Sequence, residues 1–173
     1  GVNARRVSVG NTGNTPSEVL ELSFPMQVLG YGVNQDGGGA GRWRGGTGIY
    51  REVRLEHDAT VTLTSERAAF APYGLSGGLP AQKAHFWARL PDGSREILPS
   101  KTAPLAYPKG TIIHFQVAGG GGFGDPLQRP KQAIQDDLDD GYISPNAVRD
   151  HYRRSVRHDV GRAEGPWIVG ELE

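Results

Sequence analysis

Glycine is not spread evenly along this 173-residue chain but gathered into runs, and it supplies 26 of the residues. Asp36 to Gly48 reads DGGGAGRWRGGTG, Ala71 to Ala81 reads APYGLSGGLPA, and Val117 to Pro130 reads VAGGGGFGDPLQRP. Such content means either low complexity or many tight turns with backbone at positive φ. Here the runs lie between well-patterned strands. The expectation is an ordered, loop-rich β domain.

The third run holds Gly119, Gly121 and Gly124 in the spacing G-x-G-x-x-G after a strand-like segment. A dinucleotide loop also needs a helix opening at its end and a second parallel strand beyond. Asp125-Pro126 interrupts the chain where that helix belongs, and two helical segments follow instead. The run is therefore not expected to bind NAD or ATP.

Strands are legible where apolar residues alternate. In TIIHFQV, Thr111, Ile113, Phe115 and Val117 share one side while Ile112, His114 and Gln116 take the other, so His114 reads as an outward residue. AHFWARL alternates likewise, and Pro91-Asp92-Gly93-Ser94 turns the chain into REIL as a tight hairpin. YREVRLE and ATVTLTS read as a second hairpin, with Val61 and Leu63 inward. LSFPMQVLGYG reads as a strand that Pro25 marks as edge-like or bulged.

Near Pro130 the apolar period lengthens from two to the helical value. Ile134 and Leu138 share a face, and Gly141 stands at a C-cap position. Ser144 and Pro145 open a second helix that carries Val148, Tyr152 and Val156 at four-residue steps. The predicted class is α+β: a mainly antiparallel, Gly-rich β domain over residues 1–125, then a helical hairpin and tail over 126–173 packed on it. The closing PWIVGELE reads as a docking segment or strand.

Charge is balanced at 19 basic and 19 acidic residues, which leaves no electrostatic footprint for nucleic acid or an anionic membrane. Arg149, Arg153, Arg154 and Arg157 therefore read as a solvated face opposite Asp136, Asp137, Asp139 and Asp140, not as a DNA reader. There is no cysteine, so a disulfide framework or zinc-thiolate site is excluded. No apolar run is long enough to span a bilayer, and no signal-peptide core opens the chain, so a cytoplasmic location is expected. The start at Gly1 instead of Met points to a processed, truncated or engineered terminus.

Catalytic motifs are scarce. The zinc-protease, nucleophile-elbow and P-loop signatures are missing from the sequence. His151 and His158, seven residues apart on one expected helix, would stand roughly 10 Å apart along its axis, too far to share a metal. Two segments remain as candidate substrate-binding elements. The amides and hydroxyls of Asn11, Thr12, Asn14 and Thr15 suit a polar substrate, although the same residues make a hydrogen-bonded turn into an extended segment. Arg42 and Arg44 sit in a glycine run whose N–H groups suit an anion nest, although the same run suits a wide loop with Trp43 plugging the core.

Taken in order, NTGNTPSEVLE, DGGGAGRWRGGTG, the strand pair ending TSER, APYGLSGGLPA, AGGGGFGDPLQRP and DGYISPNAVRDHY resemble the C-terminal third of the hydantoinase B subunits. That family takes in the corresponding half of 5-oxoprolinase and the homologous subunit of acetone and acetophenone carboxylases. The resemblance covers essentially the whole chain. It implies an ATP-dependent, hetero-oligomeric assembly in which this chain is the portion that does not bind nucleotide. A larger A-type ATPase subunit and the remaining B-type chain would be its partners, and ATP and a divalent metal would be held there. The reaction implied is opening of a cyclic amide or, in the carboxylase branch, carbon–carbon bond formation; a purely structural assembly module is the alternative. No turnover is expected from this chain alone. Relatives tend to carry a His-x-His-Met run before the Asn-Thr segment where this chain has Arg6-Val7-Ser8-Val9. That departure keeps the carboxylase branch open beside classical hydantoinase chemistry.

Overall fold

The alternation that marks TIIHFQV becomes the central strand of a five-stranded antiparallel sheet. In the computed structural model, which describes residues 1–4, 13–159 and 167–172, the elements run as follows. A short helix α1 (Ser17–Ser23) leads into β1 (Met26–Val33); then come β2 (Ile49–Leu55), β3 (Ala59–Val61), β4 (His85–Arg89), β5 (Arg95–Ile97), β6 (Leu105–Tyr107) and β7 (Ile112–Gln116). A 3-10 turn at Pro126–Gln128 precedes α2 (Lys131–Asp139) and α3 (Pro145–Tyr152), and β8 (Arg154–His158) and β9 (Trp167–Leu172) close the chain. The sheet order is β1-β2-β7-β4-β5, so the fold is α+β with a mainly antiparallel sheet.

One face of this sheet is the core. Val53 and Leu55 of β2, Ile113 of β7, and Phe86 and Ala88 of β4 are buried against Leu63, Leu98 and Tyr107, which come from β6 and the connecting segments. Burying an aliphatic or aromatic side chain of this size contributes about 1.5–3 kcal/mol. The β4–β5 hairpin turns at Asp92-Gly93 as expected, with Arg89 opposite Arg95 and Gly93 at φ +87°. Asp92 accepts from both the backbone N–H and the hydroxyl of Ser94, and these bonds hold its carboxyl below the usual range. β1 is an edge strand after Pro25, with a bulge between Val28 and Gly30.

Three expectations are corrected. β2 and β3 do not form a hairpin: β2 pairs with β1 and β7, whereas β3 pairs with β6. The reason lies at the end of β2, where the Leu55 N–H goes to Thr111, the Leu55 carbonyl accepts from Gly110, and the Glu56 N–H goes to Pro25. The chain after Leu55 has no free edge to fold back on. Secondly, the segment after Pro16 is the helix α1, not an extended lead-in. Its N–H to C=O bonds from Leu20 to Pro16 and from Phe24 to Leu20 close that turn of chain.

Thirdly, the second C-terminal helix is shorter than its four-residue spacing indicates. Ser144 caps α3 by accepting from the Ala147 N–H at 3.1 Å, but the helix stops at Tyr152 because Arg153 turns left-handed at φ +49°. Val156, Arg154, Arg157 and His158 consequently lie on β8, where Val156 faces Val169 of β9. A second core forms here from Ile134, Leu138, Ile143, Val148, Tyr152 and Val169. Gln135 of α2 ties β9 down by donating to the Trp167 carbonyl and accepting the Val169 N–H.

The glycine runs form the third region. Most of their glycines are not at positive φ; they are there because backbone lies directly on backbone. A Cβ on Gly45 would sit 1.8 Å from the Gly120 carbonyl oxygen, and one on Gly121 would sit 1.9 Å from that of Tyr73. The layers are stitched by main-chain hydrogen bonds: Gly39 N–H to Gly120, Gly120 N–H to Gly46, Gly122 N–H to Leu79 and Leu75 N–H to Gly122.

Candidate functional site

The concave face of the sheet is incompletely filled at the β1–β2–β7 end. A cleft of about 470 Å³ opens there, floored by Val53, Leu55, Ile113 and Phe115 and bounded by Leu20 of α1 and by Thr60 and Thr62. Its polar end is built from three residues. Asn14 donates from Nδ2 to the Tyr31 hydroxyl at 2.6 Å, and the Arg51 guanidinium lies 4.8 Å from the centre of the Tyr31 ring. Register explains the grouping, because Tyr31 and Arg51 are directly paired across β1 and β2. Arg51 shares the inward face with Val53 and Leu55, and its Nε is buried with no hydrogen-bond partner among the described residues.

An apolar floor with one cation at its end suits a small molecule that has a hydrocarbon body and a polar or anionic group. Arg51 supplies the charge, and Asn14 and Tyr31 supply donors and acceptors. Among the described residues its lining holds no nucleophile with an adjacent base.

Of the candidate substrate-binding residues, Asn14 lines this cleft. Thr15 is exposed beside it at the approach to α1, and Asn11 and Thr12 lie outside the described residues, as do Arg6 to Val9. The structure does not bring Arg42 and Arg44 to the same place. Arg42 is exposed, and its backbone bonds to Gly124 and accepts from Arg129. Arg44 is buried. Its Nε and Nη2 meet the two carboxylate oxygens of Asp137, each at 3.0 Å, and its Nη1 donates to Asn3 Oδ1 and to the Gly45 carbonyl.

Arg129 adds a 2.6 Å contact to the same carboxylate, and Tyr142 lies beneath the Arg44 guanidinium at 5.3 Å. With its donors so committed, Arg44 is a clamp between the glycine layers and α2, which corrects its reading as a ligand arm. Asp137 is correspondingly buried, not part of a solvated acidic face. Tyr152 packs next to this network, where burial pushes its phenol up to about 12. Trp43, read as a core plug, is instead 62% exposed. His151 lies on α3 and His158 on β8, so they share no helix face.

Six N–H groups of the glycine runs are likewise engaged. Gly37, Gly39, Gly45, Gly120, Gly122 and Gly124 donate to backbone carbonyls, which leaves them turned away from any phosphate. Among the described residues no group of three or more His, Asp or Glu side chains is placed to hold a metal ion. No helix of the described residues is long and apolar enough to cross a membrane.

Sequence reasoning missed Tyr31 and Arg51. A signal for Arg51 existed: in YREVRLE it alternates in phase with Val53 and Leu55, and a charge on the core-facing side of a strand needs a reason. Tyr31 carried no such mark, because its pairing with Arg51 follows only from the bulged β1–β2 register.

Comparison with known proteins agrees with the architecture. Residues 1–126 match the family described as Hydantoinase B/oxoprolinase. The chain is 33% identical over 140 residues to the beta chain of the caprolactamase of Pseudomonas jessenii, covering 78% of this chain and 24% of that one. It is 30% identical over 145 residues to the B chain of a putative D-/L-hydantoinase from a Pseudomonas species, covering 83% and 24%. Among solved structures, nucleotide-free acetone carboxylase superposes with a TM-score of 0.76 at 26% identity, covering 91% of this chain and 25% of that one. The chain thus spans about a quarter of the length of these relatives. With residues 1–126 matched in sequence and the fold matched over 91% of its length, the chain belongs to the hydantoinase B/oxoprolinase family.

Proposed function

We propose that this chain is a non-nucleotide-binding portion of an ATP-dependent assembly that opens cyclic amides, and that its Asn14–Tyr31–Arg51 cleft holds the substrate or the segment that carries it. The observation that supports this reading most is the cleft itself: a buried, unpaired Arg51 Nε at the end of an apolar floor, in a chain whose relatives include chains of a caprolactamase and a hydantoinase. A lactam or hydantoin has the matching form, an apolar ring edge with an amide at one side.

ATP and a divalent metal are expected outside this chain, a reading supported by the six glycine N–H groups that donate to carbonyls and by the lack of a ligand cluster among the described residues. ATP and the metal belong to the partners in this reading, a larger A-type ATPase subunit and the remaining B-type chain, in a hetero-oligomer. The chemical step, phosphorylation of a substrate oxygen followed by attack at the activated carbon, takes place on residues those partners supply. The likeness to acetone carboxylase keeps ketone carboxylation as the second reading.

The test is a reconstituted assembly. The purified 173-residue chain should give no ATP-dependent hydrolysis of a lactam, hydantoin or 5-oxoproline, and no ketone carboxylation, while the assembly should give one of them. Asn14→Ala and Arg51→Met should then lower assembly turnover about tenfold, near the 1.4 kcal/mol of one lost hydrogen bond, with the complex intact by size-exclusion chromatography. Turnover by the isolated chain, or full activity in both variants, sinks the proposal.

A further inference from the structure

The opposite face of the same sheet carries a group that the cleft does not use. Across one row of the sheet, register sets Gly30, Glu52, His114, Trp87 and Ile97 side by side on β1, β2, β7, β4 and β5. His114 Nδ1 lies 2.9 Å from Glu52 Oε1. An ionised carboxylate only accepts, so Nδ1 carries the hydrogen, and in the neutral ring Nε2 is the bare nitrogen.

The ring cannot turn away from this arrangement. It stacks on Trp87 at 4.7 Å with 6° between planes and on Tyr50 at 6.1 Å with 14°. The Tyr50 ring has room because β1 offers Gly30 and Gly32 beneath it; a Cβ on either would stand 3.1–3.2 Å from a ring carbon. The His114 side chain is only 12% exposed, and Nε2 has no hydrogen-bond partner among the described residues. A phenylalanine would stack equally well. What the imidazole adds is one oriented, unfilled acceptor.

His114 is part of the lining of an open cavity of about 320 Å³, whose other polar residues are Asn34, Gln35, Tyr50, Gln82 and Gln116. Asn34 is spent on the carbonyls of Ile49 and Val117. Gln82 and Gln116 face each other at 3.3 Å, a weak bond that a ligand can replace. None of the lining residues is Asp, Glu, Lys or Arg, and the Glu52 carboxylate behind the imidazole opposes an anion.

We propose that this cavity is a second binding site, for a small neutral molecule that donates an N–H or O–H to His114 and presents a carbonyl to the amides of Gln82 and Gln116. Glu52 is its positioning residue, because it decides which imidazole nitrogen is bare. The site lies on the face of the sheet away from the Asn14 cleft, with Tyr50 common to the two linings.

The test uses ¹⁵N NMR on the 173-residue chain with acetamide and urea as neutral probes and acetate as the anionic one. Ring correlations should show His114 with its hydrogen on Nδ1. Acetamide should shift the His114 Nε2 signal and the Gln82 and Gln116 side-chain amides along saturating curves, while acetate leaves them in place. Glu52→Leu, which removes the acceptor for Nδ1–H, and Gln116→Ala should each weaken the acetamide response at least tenfold. Should Glu52→Leu lose the folded amide spectrum, Gln116→Ala decides alone. A hydrogen on Nε2, linear non-saturating shifts, stronger binding of acetate, or an unchanged response in Gln116→Ala would overturn the site.

Discussion

The sheet and the glycine layers are both dense, but they are dense for opposite reasons. In the sheet, side chains fill space: Ile113 is 1% exposed among Phe86, Val53 and Leu98. In the glycine layers, backbone fills space, and side chains are what the packing excludes. The sheet is joined to its surroundings by apolar burial, whereas the layers are joined to α2 by the Arg44–Asp137–Arg129 ion network. A side-chain core can yield by rotamer changes, while a backbone laminate has no such freedom.

The ion network is where this contrast breaks most sharply. Asp137→Ala leaves Arg44 and Arg129 buried without their carboxylate, and a loss of about 3–5 kcal/mol in unfolding free energy by denaturant titration is expected. A loss below ~1 kcal/mol would show that the layers are held by something else. Next comes a pair of one-carbon changes. Gly45→Ala forces a methyl group onto the Gly120 carbonyl and should cost at or beyond the upper end of roughly 1–3 kcal/mol. Ile113→Val removes one carbon from the sheet core and should cost about 0.5–1.5 kcal/mol. Equal costs for the two would erase the distinction between the regions.

The smallest expected effect is alkaline. The Tyr152 phenol is pushed up to about 12 by burial, above its ordinary value of 10.0. Its protonated form is therefore the one the fold favours: that contribution is complete below pH 10 and is lost as pH rises toward 12. Tyr152→Phe should flatten the fall of the denaturation midpoint between pH 10 and pH 12. An unchanged slope would assign the alkaline loss to other groups, such as Tyr107, whose phenol burial and its bond to Glu96 also push up to about 12.

How far the sequence revealed each region follows from the same contrast. Strands β4 and β7 were legible because alternating apolar residues leave a period-two trace, and the fully exposed β5 was legible only through the Asp92-Gly93 turn that precedes it. The β2–β3 hairpin was misread because nothing local records that Leu55 is already bonded to Thr111 and Gly110. In the glycine layers there is no amphipathic trace to read. The runs said that something special occurred there, and pointed to turns and positive φ; the finding is close approach without positive φ at Gly45 or Gly121. Arg44 looked like an exposed cation because its partner, Asp137, lies 93 residues away. The His114–Glu52 pair was half legible: alternation set His114 outward, but only register across 62 residues brings Glu52 to it.

The glycine layers also impose an order on the chain as it is made. The Gly39 N–H and the Gly46 carbonyl both wait for Gly120, and Leu79 waits for Gly122. While the first two runs have been synthesised and the third has not, those groups have only water to bond. The β1–β2 pair, whose strands are neighbours along the chain, has no such delay. Until the segment from 112 to 124 arrives, the nascent chain can therefore close the β1–β2 pair but neither the full sheet, whose central strand is β7, nor the glycine layers.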